Sequence, residues 1–156
     1  MEVSLKETRV VLDELVDKAE LAAAFATDHT KALTAAEALI AAEGPNVLMA
    51  RALKPEGHRR DYETRPPLTY AALDMLRRSA QSGSVPPPEV HGAKERHVTM
   101  LYRFDEAERL LGHLVLSLDL AFLREALTEL PVRVGYLELQ QPVGQGEPLT
   151  VAHVGD

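Results

Sequence analysis

The sequence predicts an α+β fold, a mostly antiparallel sheet with helices packed on one side of it. Three observations carry that expectation. Helical spacing of apolar residues fills the chain up to Glu43, whereas period-two alternation fills His97 to Leu118. The late strands are joined by short turns, which suit antiparallel pairing and not parallel crossovers.

The elements follow in order. Leu5, Leu12, Ala19, Ala26 and Leu33 fall seven apart, with Leu15 and Ala22 offset between them, a heptad-like seam. Charged residues (Lys6, Glu7, Asp13, Glu14, Asp17, Lys18 and Glu20) occupy the other faces. One helix is therefore expected over residues 3 to 28. At about 26 residues it would reach ~39 Å, longer than a small domain needs for its own core. Two readings stand: an amphipathic helix packed on its own domain, or a signalling or dimerising helix that projects past it.

Thr27-Asp28-His29-Thr30 interrupts this pattern, and Thr34-Ala-Ala-Glu37 matches a capping box. A second helix is expected through Leu39 and Ile40 to about Glu43, stopped by Gly44-Pro45. Val47 to Leu53 reads as a strand. Residues 54 to 67 are polar and turn-rich, after which Thr69 can cap a helix carrying Ala72, Leu73 and Leu76 and ending near Gly83. Val85-Pro-Pro-Pro88 is a stiff extended segment.

Two longer strands come next. His97 to Phe104 alternates Val98, Met100 and Tyr102 against Thr99, Leu101 and Arg103. Leu110 to Leu118 is apolar on both faces and so reads as a central strand. It runs into Asp119, an N-cap for a helix with Leu120, Leu123 and Leu127 at helical spacing. Val132 to Gln141 and Leu149 to Val154 form a closing pair across the Gly144-Gln-Gly146 turn. The expected organisation is a helix over residues 1–30 and one sheet domain over residues 31–156.

Composition narrows the class. The 156 residues suit a single domain, and 46% hydrophobic residues suffice for a core that alanine and leucine must build, since aromatics are 4%. A formal charge of −7 argues against nucleic acid or an anionic membrane surface as partner. The absence of cysteine excludes disulfides, thiolate metal sites and a cysteine nucleophile. No apolar run is long enough to span a bilayer, and the start lacks the basic and apolar regions of a signal peptide.

The element order resembles the PAS-like fold of bacterial Cache sensor domains, and Gly112-His-Leu-Val-Leu-Ser-Leu-Asp119 is similar to that family's closing strand-to-helix unit. The resemblance implies a long N-terminal helix leading into a five- or six-stranded sheet. Pro66-Pro-Leu-Thr-Tyr-Ala-Ala-Leu-Asp-Met-Leu-Arg-Arg78, Pro86-Pro-Pro-Glu-Val-His91 and Gly135-Tyr-Leu-Glu-Leu-Gln-Gln141 look closer still to one setting of it. They resemble the extracytoplasmic N-terminal region of long-form bacterial phosphomannomutase/phosphoglucomutase enzymes. That resemblance implies a periplasmic, membrane-anchored parent whose catalytic part lies elsewhere. The phosphorylatable serine loop and the Asp-Gly-Asp metal loop of that catalytic part do not occur in this sequence.

Six histidines are present, at 29, 58, 91, 97, 113 and 153, none in a recognised metal-ligand spacing. His58, His91 and His97 lie in or near polar loops with Asp61, Glu63 and Glu89, and read as solvated loop residues in preference to a metal set. His113, on the central strand, reads as a hydrogen-bonded core histidine or as a titratable switch. No cofactor, no metal and no catalytic residue is expected.

The ligand-binding candidates are Arg65, Tyr70, His91, Tyr102, Arg103 and Ser117. Arg65 and Tyr70 border the loop–helix insertion, and arginine grips carboxylates in a bidentate fork. Tyr102 and Arg103 are neighbours on one strand, so only one can face a given pocket. By the Cache resemblance, Ser117 occupies the place where amino-acid sensors put an aspartate, which weighs against an amino-acid ligand. The reading is thus a non-catalytic sensory domain for a small anionic metabolite, with a homodimer through the N-terminal helix as its partner arrangement. The alternatives are a structural or dimerisation module without ligand, or the sensor of a histidine kinase or chemoreceptor.

Overall fold

In the computed structural model, residues 2–56, 61, 63–92, 96–121, 136–141 and 149–155 are described, with side chains from 8 to 121 within that set. The helical N-terminal region holds three helices, not the two that the spacing predicts. α1 (Glu2–Lys18) ends early because Glu20 takes φ 52°, a left-handed turn that α2 (Leu21–Ala26) then leaves in a new direction. A second left-handed residue, Asp28 at φ 54°, separates α2 from α3 (Thr30–Glu43). These turns break the heptad seam. Leu12 and Leu15 are buried inside the protein's own core, whereas Ala22 and Ala26 are exposed.

The start of the third helix also differs from the expectation. His29, not Thr34, caps α3: its Nδ1 accepts a hydrogen bond from the Ala32 N–H at 3.0 Å. Thr34, already inside the helix, donates its hydroxyl to the Thr30 carbonyl. Glu37 reaches instead to strand β1 (Val47–Leu53) and accepts from the Ala52 N–H at 2.9 Å.

α4 (Tyr70–Ser82) follows Thr69 and stops at Gly83, whose φ of 76° is open to glycine at little cost. β2 (Glu89–His91) is a short strand directly after the proline run, and β3 (His97–Glu106) and β4 (Arg109–Leu118) form a long hairpin. All pairings are antiparallel, in the order β1-β4-β3-β2. β4 is central, as its two apolar faces predict. Past it, Asp119 accepts from the Ala121 N–H at 2.8 Å, the expected capping contact, and most of the helix predicted there lies outside the described residues. The closing pair is present as β5 (Tyr136–Gln141) and β6 (Leu149–Gly155), but as a separate two-stranded ladder. Among the described residues the main sheet therefore has four strands, where five or six were expected.

Both faces of this sheet are covered. Val90, Val98, Met100, Leu114, Leu116, Leu118 and Ala50 point to one face and form a core with Leu12, Val16, Leu21, Phe25, Leu33 and Ile40 of α1–α3. Ala72, Met75 and Leu76 of α4 pack on the other face against Leu101 and Val115. Helices on both faces replace the one-sided arrangement expected. The Phe25 ring lies so close to β4 that a Cβ on Gly112 would stand 2.5 Å from it. Phe104, paired with Gly112 across the ladder, meets that ring in a tilted contact at 5.5 Å between centroids.

Candidate functional site: the polar face beneath α4

Strand alternation sorts the chemistry of this protein onto one side. The face toward α1–α3 is apolar, but the α4 face carries cross-strand rows with polar ends. One row reads Met49, Ser117, Thr99, Glu89 from β1 to β2. Beside it stands the directly opposed pair His97 and His91. The next row is Arg51, Val115 and Leu101, polar only at its β1 end, and Leu53, His113 and Arg103 close the far end.

The β2 end is a hydrogen-bonded chain. Thr99 Oγ1 meets His91 Nδ1 at 2.8 Å, and His91 Nε2 meets Glu89 Oε2 at 3.0 Å. Glu89 also takes an ion pair from the Arg78 guanidinium at 2.5 Å, and Arg78 Nε reaches Asp74 at 3.0 Å. A carboxylate held by arginine only accepts, so His91 Nε2 carries the proton and Nδ1 accepts from the Thr99 hydroxyl. The hydrogen bond that Arg78 donates to Glu89 raises the Arg78 pKa, and the Arg77 hydrogen bond holds the Asp74 carboxyl below its usual range. The order hydroxyl–imidazole–carboxylate is that of an activated nucleophile. Thr99 is only 1% exposed, however, so an electrophile has no approach to its oxygen.

At the other end, His113 Nε2 and Ser79 Oγ are 2.9 Å apart and both fully buried. Arg103 donates to the Ser79 carbonyl and, through Nε, to Asp105 at 2.9 Å. This fastens α4 to β3 and β4. On the β1 edge, Arg51 donates to Thr64 Oγ1 and to the Pro66 carbonyl at 2.7 Å. Asp61, bridged to Leu68 across that loop, accepts from the Glu63 and Thr64 N–H groups. Burial lowers the Arg51 pKa, against the pull of Asp61 and Glu37, and the Glu63 N–H holds Asp61 below the usual carboxylate range.

The six sequence candidates therefore separate. His91 and Ser117 lie on the α4 face, each cross-strand or hydrogen-bonded to Thr99. Arg103 shares that face at its far end. Tyr102 is on the opposite face, where its hydroxyl donates to Asp13 of α1 at 2.6 Å. Arg65 is exposed and donates to the Thr64 carbonyl, and Tyr70 is 63% exposed at the start of α4. His91 and His97 are buried strand residues and not solvated loop histidines, because β2 forms where only an extended segment was read. His58 lies outside the described residues.

Arg51, Ser79, Arg78, Glu89 and Thr99 did not stand out in the sequence. A signal existed for Ser79, which continues the buried helical stripe of Ala72, Met75 and Leu76 as a polar residue on an apolar face. Near Arg78, Gln81, Ser82, Ser84 and Pro86 line an open groove of about 430 Å³ at the end of α4. No known protein family, curated protein or solved structure matches this chain.

Proposed function

We propose that the chain is a non-catalytic sensory or regulatory domain of PAS-like Cache type, held outside the cytoplasmic membrane. It binds a small anionic metabolite and answers through its N-terminal helices. The observation that carries this reading is the unequal sheet: one face apolar under α1–α3, the other polar yet buried beside α4. A purely structural sheet gains little from burying hydroxyls and imidazoles that must each be hydrogen bonded. The strand order β1-β4-β3-β2, with a loop and helix inserted between β1 and β2, also supports it. In this chain the insertion lays α4 across one sheet face, against Leu101 and Val115.

Arg51 and Ser117 supply the guanidinium and the hydroxyl donor that an anion needs on that face. The burial of both hydroxyl–imidazole pairs, Thr99–His91 and Ser79–His113, supports a binding role over a catalytic one. A ligand acts here only as far as it prefers one arrangement of sheet and helices over another.

Thermal denaturation with a panel of small carboxylates and sugar phosphates tests the reading. At least one member produces a saturable rise in Tm, worth about 2.7 kcal/mol at a hundredfold its Kd. Ser117→Val abolishes that rise. A panel with no saturable response, together with unchanged amide exchange, removes the ligand from the proposal. The parent is proposed to be a membrane-anchored phosphohexomutase; a gene whose codons after Asp156 encode another domain refutes that part. A structural or dimerising module is the second reading, favoured by Val10 and Val11, which stand 56% and 44% exposed on α1. A stable dimer in sedimentation that ignores the whole panel selects it.

A further inference from the structure

Arg51 makes a bond within its own strand that has no counterpart in the ladder. Its Nε donates to the Met49 sulfur at 2.9 Å, while its terminal nitrogen donates to Thr64 Oγ1 and, at 2.7 Å, to the Pro66 carbonyl. One guanidinium thus joins a thioether on β1 to the loop that leads into α4. Of the methionines whose side chains are described, Met75 and Met100 are buried, at 0% and 3% exposed, and Met49 alone is partly exposed. We propose that Met49 is a reversible oxidation site: a hydroperoxide converts its thioether to the sulfoxide, which displaces Arg51 from Thr64 and Pro66 and loosens the loop from Asp61 to Leu68. This input goes beyond the metabolite reading and does not depend on it.

The step balances between the sulfur and the peroxide. Arg51 engages one lone pair of the sulfur and leaves the second for attack on a peroxide oxygen. The O–O bond breaks as the S–O bond forms, and the hydrogen on the transferred oxygen passes to the departing one. Sulfur gives up two electrons, and hydrogen peroxide leaves as water. The guanidinium favours this step, because its N–H groups stabilise negative charge on the developing and departing oxygens.

The consequence follows from the shape of the two side chains. A thioether is a weak acceptor and the sulfoxide a polar one, and methionine turns freely about its side-chain bonds. The new oxygen therefore takes the place of sulfur as acceptor for Nε–H. It stands one bond further out, so it drives Nε back from its present contact. The guanidinium is planar and rigid, and a displacement at Nε carries the terminal nitrogen with it, off Thr64 and Pro66. Between those anchors and the sheet, Asp61 and Leu68 exchange backbone hydrogen bonds at 3.0 and 2.7 Å. Leu68 in turn belongs to the apolar cluster of Ala72, Met75 and Leu76. Oxidation at Met49 thus reaches the start of α4, and the core under α1–α3 is left as it is.

Peptide mass mapping of the intact chain under graded hydrogen peroxide tests the site, and amide exchange on the same samples tests the consequence. One oxygen is expected on Met49 at doses that leave Met75 and Met100 as thioethers. Exchange over residues 61–68 is expected to quicken about tenfold, as for the loss of one hydrogen bond to a charged group. Residues 30–43 of α3 keep their protection. Treatment with the two methionine sulfoxide reductases, one for each sulfoxide epimer, restores the loop. M49L, close in volume, shows no change in the loop under the same doses. Oxidation of Met49 no sooner than Met75 and Met100, an oxidised Met49 with the loop unchanged, or equal loosening in M49L overturns the proposal. If M49L does not fold, the wild-type chain before and after reductase decides: a loop that recovers with Met49 upholds the proposal, and one that does not recover overturns it.

Discussion

Gly112 shows how one missing Cβ fixes a packing choice. Its hydrogen lies against the Phe25 ring and 2.8 Å of virtual Cβ distance from the Leu53 carbonyl, so alanine would overpack two elements at once. Gly112→Ala is expected to cost about 1–3 kcal/mol, read as a lowered midpoint in urea with the slope unchanged. Tyr102 is the second informative residue. Burial first, and then the hydrogen bond to Asp13, push its hydroxyl well above the ordinary tyrosine range. A raised folded-state value contributes stability that is complete below the unfolded value of about 10 and is lost progressively as the pH rises from there through the raised folded-state value. Tyr102→Phe should therefore cost about 1 kcal/mol at neutral pH and remove part of the alkaline unfolding step, as followed by circular dichroism. Its role is to tie α1 to β3, and the strand alternation that separates it from Arg103 was readable in advance.

At the scale of elements, the N-terminal helices depart furthest from the sequence pattern. A seven-residue repeat fits a straight helix whose seam faces a partner. Here Glu20 and Asp28 in left-handed conformations cut that helix into pieces, and Leu12 turns inward onto the sheet. Asp28 falls within the Thr27–Thr30 interruption readable in the sequence, and aspartate tolerates that conformation; glutamate does not favour it, so local propensity gave no warning of the break at Glu20. The tertiary gain that offsets them is the burial of Leu21, Ala24 and Phe25. The consequence is measurable: Leu12→Asp is expected to unfold the chain, by about 3–5 kcal/mol, instead of releasing a folded monomer from a dimer. Calorimetry and sedimentation on the same sample distinguish those outcomes. β1 shows the reverse case, a strand whose bounds were readable because apolar residues run unbroken from Val47 to Met49 and Arg51 alone interrupts the rest. What was not readable is that Glu37 covers its Ala52 N–H and so blunts an otherwise open sheet edge.

Across the whole molecule the sheet divides two kinds of interior. One is apolar; the other is threaded by Arg51, Arg78, Arg103 and three histidines. The loop and helix between β1 and β2 cover the second of these interiors. The sequence by itself determined the α+β class, the bounds of β1, the centrality of β4, the Gly83 stop and the Asp119 cap. Each of these depends on neighbours within a few residues, where periodicity and capping chemistry act. Only the tertiary structure decided that His91 and His97 are buried and opposed, that Ser79 meets His113, and that Tyr102 turns away from the polar face. Those pairings join residues 6, 34 and 89 positions apart through register and helix docking, and no local pattern encodes a register between segments so distant.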